Sequence, residues 1–181
     1  IAAAEEERFS QTKHDRSFPV NAIAFVLKQV NIEDINDIDE VCWYERPEDK
    51  EKRVIKMFNR HPFRTFCLRR KFKKEFKLNN PKSLLTHHFN YEGKIKYIPH
   101  HLSHAAFSYY TSKYKKAAIL TVDGVGEEQT ITISKATGND IELIREVNYP
   151  NSLGMYYSAM TSFLGFKPNE GEYKVMGLAA W

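Results

Sequence analysis

The chain has 181 residues, 42% of them apolar, with 27 basic against 23 acidic side chains for a net charge of +4. That is apolar enough for a hydrophobic core, and no apolar run approaches the ~20 residues of a membrane span. Cys42 and Cys67 lack a C-x-x-C spacing, which argues against a disulfide scaffold or a cysteine zinc site and suits a reducing cytoplasm.

In chain order, "IAAAEEERFS" reads as a strand end running into an exposed loop with Glu5, Glu6, Glu7 and Arg8. Over "FPVNAIAFVLKQVNI", Pro19 suits a first helical turn, and Ala22, Ile23, Val26, Leu27 and Val30 recur at helical spacing. "DEVCWYE" reads as a short strand. "PEDKEKRVIKMF" is a charged helix, and "RHPFRTFCLRRKFKKEFKL" then interleaves Arg and Lys with Phe63, Phe66, Phe72 and Phe76. "PKSLLTHHFNYEG" is predicted helical, "KIKYIPH" a strand, and "LSHAAFSYYTS" a helix with small residues on one face.

"KAAILTVDG" is almost wholly apolar, the pattern of a strand buried on both faces. "EQTITISKATGNDIELIREV" alternates about "TGND", which signals a hairpin. "SLGMYYSAMTSFLGF" is a helix, and "EGEYKVMGLAAW" begins another. Alternating helices and strands around a hairpin predict an α/β domain with a mixed sheet and flanking helices. A chain that opens on Ile1 and stops in the apolar run "VMGLAAW" is expected to be a piece of a longer domain, incomplete at both ends.

Chemistry concentrates in "PHHLSHAAF" and "TVDGVGE". Residues four apart on a helix share a face, about 5–6 Å between Cβ atoms, so the rings of His100 and His104 can converge on one ion. His101 points to another face. Asp123 ends the apolar strand, where α/β folds bind their ligands. Two imidazoles and one carboxylate suit a divalent iron with open positions. Gly124 and Gly126 leave backbone room for a phosphate. The alternative is a pair of histidines satisfying a helix end and a "DGVG" turn into the hairpin; spacing alone leaves both readings open. In "NEGEYKVMGLA", Glu170 and Glu172 are placed to favour a helix start, and Lys174 to contact an anion or solvent. Arg8, Lys13 and His14 form either an anion pocket or a solvated charge run.

Taken together, "EEERFSQTKHD", "HHLSHAA", "VDGVGE" and "SLGMYYSAMTSFLGFKPNEGEYKVMGLA" resemble the N-terminal part of the nodulation-protein and antibiotic O-carbamoyltransferases, in the family's order. Between Pro47 and Tyr91 the resemblance is slight. It implies an actin, sugar-kinase and heat-shock-ATPase type of fold (ribonuclease H-like). It implies an iron site in which His100, His104 and Asp123 are ligands, with a further aspartate beyond Trp181. Lys13 matches a lysine of the carbamoyl-transfer site, and Gly124 and Gly126 match the nucleotide phosphate side. The implied reaction makes carbamoyl adenylate from carbamoyl phosphate and ATP in a C-terminal domain. The N-terminal domain then moves the carbamoyl group to a hydroxyl of a sugar or secondary metabolite. The family's opening strand, second lobe and C-terminal domain are not in this chain, which is therefore expected to be inactive alone.

Two other readings compete. The basic–aromatic segment 60–77 resembles single-strand nucleic-acid binders, but Phe72 and Phe76 at i, i+4 fit an amphipathic helix packing them inward. In the tRNA threonylcarbamoyl-transferring enzymes the histidines usually enclose Glu-Gly, where this chain has His101, Leu102 and Ser103. A sugar kinase has no need of the histidine pair. The expected partners are thus small molecules, with neither membrane nor nucleic acid.

Overall fold

The computed structural model describes the backbone of residues 1–15, 17–59 and 62–180, and the side chains of these residues other than 62–66. In chain order the elements are α1 (Glu7–Ser10), α2 (Val20–Gln29), a 3-10 turn (Ile35–Asp37), β1 (Val41–Trp43), α3 (Pro47–Asn59), α4 (Pro62–Leu78) and α5 (Pro81–Phe89). There follow β2 (Ile95–Tyr97), α6 (His100–Tyr110), β3 (Lys116–Val122), β4 (Gln129–Thr137), β5 (Asp140–Asn148), α7 (Leu153–Phe163) and α8 (Glu172–Leu178). The α/β reading holds, with parallel and antiparallel pairing in separate sheets: β1–β2, and the antiparallel β3–β4–β5. The strand end expected at the start of the chain is not formed; residues 1–5 are irregular and lead into α1.

The chain divides into two compact units, Ile1–Trp43 with His61–Lys96, and Tyr44–Arg60 with Tyr97–Trp181. The first is built on Ile35, Leu85 and Tyr91, with Phe18, Ile23, Leu27, Ile38, Val41, Phe89 and Ile95 against them. Ile23 and Leu27, one turn apart, give α2 its buried stripe. Asn80 starts α5 by accepting from the Lys82 N–H at 3.0 Å, and Asn90 ends it in the left-handed conformation. On α4, Phe72 and Phe76 are half-buried and face each other at 5.6 Å, while Lys71, Lys73, Lys74 and Lys77 stay exposed. Residues 60 and 61, and the side chains of Phe63 and Phe66, lie outside the described residues.

In the second unit, α6 lies on the three-stranded sheet. Its residues His101, Ala105 and Tyr109, each one turn apart, are buried, and Ala105 and Tyr109 meet Ile119 and Ala136. Strand β3 corrects one expectation: it is covered on one face only. Ile119 and Thr121 point into the core, whereas Leu120 and Val122 are 66% and 48% exposed. The register explains this. Leu120 and Val122 lie opposite Ile133 and Ile131 of β4, on the face away from α6. The apolar run therefore reflects two different environments, a helix-covered face and an open one.

A candidate metal centre at the start of α6

The histidine pair sits at the start of α6, with His100 its first residue and His104 one turn on. Asp123 follows β3 directly. His100 Nε2 lies 2.9 Å from Asp123 Oδ2 and 3.0 Å from His104 Nε2, and His104 Nε2 lies 3.9 Å from the same carboxylate oxygen. All three donors thus face one point. Among the described residues this is the group of His, Cys, Asp and Glu side chains arranged to hold an ion. At an ion with bonds of about 2.1 Å, the two pairs about 3 Å apart subtend roughly 90° and the 3.9 Å pair roughly 135°, so all three donors can reach one transition metal with room for further ligands.

The electrostatics follow from these contacts. The hydrogen bond from His100 pulls the Asp123 carboxyl down to about 2, against the opposing effect of burial. The same bond raises His100 above the ordinary imidazole value, while burial opposes it. His101 turns away, as its position on the helix predicts. It is 2% exposed, its Nδ1 is 3.2 Å from Thr132 Oγ1, and burial lowers its pKa.

The surrounding backbone is tightly fitted. Asp123 N–H donates to Thr130 O at 2.9 Å, and Gly124 N–H donates to Asp123 Oδ1 at 2.6 Å. Space beside Gly124 is open. Beside Gly126 it is taken by α6: a Cβ there would lie 3.0 Å from His100 Cβ and 3.1 Å from His101 Cδ2. Sequence pattern alone does not single out three further residues. Ser152 starts α7 by accepting from Met155 N–H at 3.0 Å, and its hydroxyl lies 2.6 Å from Gly124 O and 3.3 Å from Asp123 O. Gly154 sits so close to the aspartate turn that a Cβ would lie 2.6 Å from Asp123 O. Glu127, buried at 8% exposure, accepts from the N–H groups of Arg46 and His100. Its one sequence signal is its place at the end of "VDGVGE".

Lys13 belongs to the first unit, in an exposed turn, with no ion pair or hydrogen bond among the described residues. Its neighbours are engaged. Glu7 accepts from His14 N–H at 2.8 Å, Glu6 accepts from Ala22 N–H at 2.9 Å and from the Asn21 side chain at 2.6 Å, and Arg8 lies 3.9 Å from Glu5. In the last motif, Glu172 accepts from Ser158 and from Asn169 N–H, Glu170 pairs with Lys167 at 2.6 Å, and Lys174 is exposed beside Phe166 and Tyr173.

Comparison with known proteins identifies the family. The family described as carbamoyltransferase N-terminus matches residues 1–181. An uncharacterised protein of Synechocystis sp. is 36% identical over the whole chain, and one of Methanocaldococcus jannaschii 30%. The nodulation protein NolNO of Sinorhizobium fredii is 28% identical, again over the whole chain. The chain spans 31%, 29% and 26% of the lengths of these three relatives. No helix among the described residues is long and apolar enough to cross a membrane.

Proposed function

The chain belongs to the carbamoyltransferase N-terminus family, and from that premise we propose that it carries the metal-dependent transfer site of an O-carbamoyltransferase. In this reading another part of the same protein makes carbamoyl adenylate from carbamoyl phosphate and ATP. The acceptor, a sugar or other small-molecule alcohol, attacks the carbamoyl carbon through its hydroxyl oxygen. The bond from that carbon to the phosphate oxygen breaks, AMP leaves, and the hydroxyl proton is released. The observation that supports this is the meeting of His100, His104 and Asp123, drawn from one helix and one strand end.

These three residues would hold the ion, with divalent iron the expected metal. When bound, such an ion supplies a Lewis acid and a template for the adenylate oxygens. The chain's own groups do the rest. His100 and His104 present ring-nitrogen donors, and Asp123 contributes a carboxylate oxygen. Gly124 leaves its turn open to a phosphate. Lys13, exposed and without an ion pair or hydrogen bond among the described residues, would neutralise charge on the carbamoyl oxygen or the leaving phosphate.

The test uses the full-length protein, purified without oxygen. It should carry about one iron per chain and carbamoylate a hydroxyl acceptor, and His104→Ala should lose the metal and the transfer together. Unchanged metal content in His104→Ala would overturn the assignment.

A further inference from the structure

We infer that Glu127 is a positioning residue for the metal centre: its buried carboxylate fixes the first turn of α6, and with it His100 and His104, against Asp123. The inference rests on the metal reading proposed above. It starts from an unmet requirement. The first N–H groups of a helix lack internal partners, and Pro99, which precedes α6, supplies no side-chain hydrogen bond. Glu127 fills that place from 27 residues further on. Oε1 lies 3.0 Å and Oε2 3.1 Å from His100 N, and Oε1 also accepts from Arg46 N–H at 2.7 Å. A carboxylate at a helix N-terminus is favoured by the helix dipole as well as by these bonds.

The consequence reaches the imidazoles. A ligand histidine is usually oriented by a hydrogen bond to its other ring nitrogen. Here His100 Nδ1 is buried without a partner among the described residues. Among the described residues the ring's polar contacts are therefore those with Asp123 and His104, and its placement depends on how its backbone is anchored. Glu127 supplies that anchor, and three neighbours reinforce it. Gly126 packs directly on His100, the Tyr44 ring lies 5.8 Å from the His100 ring, and Ser103 on α6 donates to Tyr44 O at 3.2 Å. One short loop thus carries a ligand, Asp123, and four residues later the group that places the other two.

The experiment is a cobalt(II) titration of the full-length, metal-depleted protein, followed by the d–d absorption of the bound ion. Supporting residues of metal sites cost about 10- to 100-fold in affinity when removed. Glu127→Ala should weaken binding by about that factor and change the band shape. Glu127→Gln, whose one oxygen can still accept an N–H, should recover most of the affinity. Ile119→Val, a core change in the same unit, should lower the melting temperature without altering the spectrum. Wild-type affinity and spectrum in folded Glu127→Ala would overturn the inference while leaving the metal reading intact. If Glu127→Ala does not fold, Glu127→Gln decides: a spectrum and affinity as poor as those of His104→Ala would show that Glu127 acts otherwise than by accepting these bonds. Absence of any cobalt band in the wild type would instead remove the metal reading itself.

Discussion

The segment around Lys13 and the start of α6 look alike as sequence: each is a short run crowded with charged or titratable residues. In structure they differ. At α6 the polar atoms converge, with three donors pointing to one place and buried groups holding them there. Around Lys13 the polar atoms disperse. Glu6 and Glu7 are used up on backbone N–H groups, and Lys13 extends into solvent. A cluster in sequence becomes a site only where the fold turns its members inward. Otherwise the acids do local structural work.

The comparison breaks most sharply at Asp123. Asp123→Asn removes the charge that unites the imidazoles, so metal affinity should fall by more than the 10- to 100-fold that a supporting residue costs. The pH dependence carries the same signature. Protons compete with the ion for His100, whose pKa lies above the ordinary imidazole value, so metal affinity should rise as pH climbs through that raised value. The metal-free fold should behave oppositely. Because the folded-state pKa of His100 is raised, the His100–Asp123 pair contributes its full stability below the ordinary imidazole value and loses it as pH rises through the raised one. Metal-free and metal-loaded melting curves recorded across that range would show the two trends crossing. Parallel trends would count against His100 as a ligand.

Lys13 tests the other side. Lys13→Ala should lower carbamoyl transfer by about 100-fold, the cost of removing one group that stabilises developing charge. Stability should change by less than about 0.5 kcal/mol, because the side chain is exposed and makes no ion pair or hydrogen bond among the described residues. Arginine presents a planar fork in place of a compact ammonium, so Lys13→Arg should not rescue the rate. Adenylate formation, measured separately, should be untouched. A joint fall of both half-reactions would make Lys13 structural.

Gly154 probes how firmly the aspartate is seated. A methyl group at that position would overlap Asp123 O, and backbone cannot swing aside as a long side chain can. Gly154→Ala should therefore cost about 1–3 kcal/mol, as overpacking does, and should weaken metal binding in step. Lost stability with unchanged affinity would show that α7 and the aspartate turn move apart without disturbing the centre.

Much of this was legible in the sequence. Helical spacing placed His100 and His104 on one face and His101 on another, and the "TGND" turn set the hairpin. Local rules reach such features because they depend on neighbours three or four residues away. The support was not legible. Glu127 meets Arg46 across 81 residues, and Gly154 meets Asp123 across a loop and two strands. Nothing in local pattern distinguishes a glutamate bound to backbone from one in solvent. Strand β3 misled for a related reason: an apolar run records how hydrophobic each face is, and Leu120 and Val122 lie on a face that α6 does not cover.

The smallest predicted effect separates structure from chemistry within a single motif. Glu6 accepts from Asn21 and from Ala22 N–H at the start of α2, where Pro19 provides no side-chain hydrogen bond. It therefore does for α2 what Glu127 does for α6, except that α2 carries none of the proposed metal ligands. Glu6→Ala should cost about 1 kcal/mol, the typical value for a lost helix-start interaction. It should leave metal content and the affinity for cobalt(II) unchanged, because the interaction ends at α2 and involves none of His100, His104 or Asp123. Glu6→Gln should recover part of the stability through its remaining carbonyl oxygen. A thermal melt and a metal titration on the same samples decide the matter. If Glu6→Ala lowered metal affinity as Glu127→Ala is expected to, the contrast between the two glutamates would fail, and the "EEERF" acids would have to be counted with the centre rather than with the scaffold.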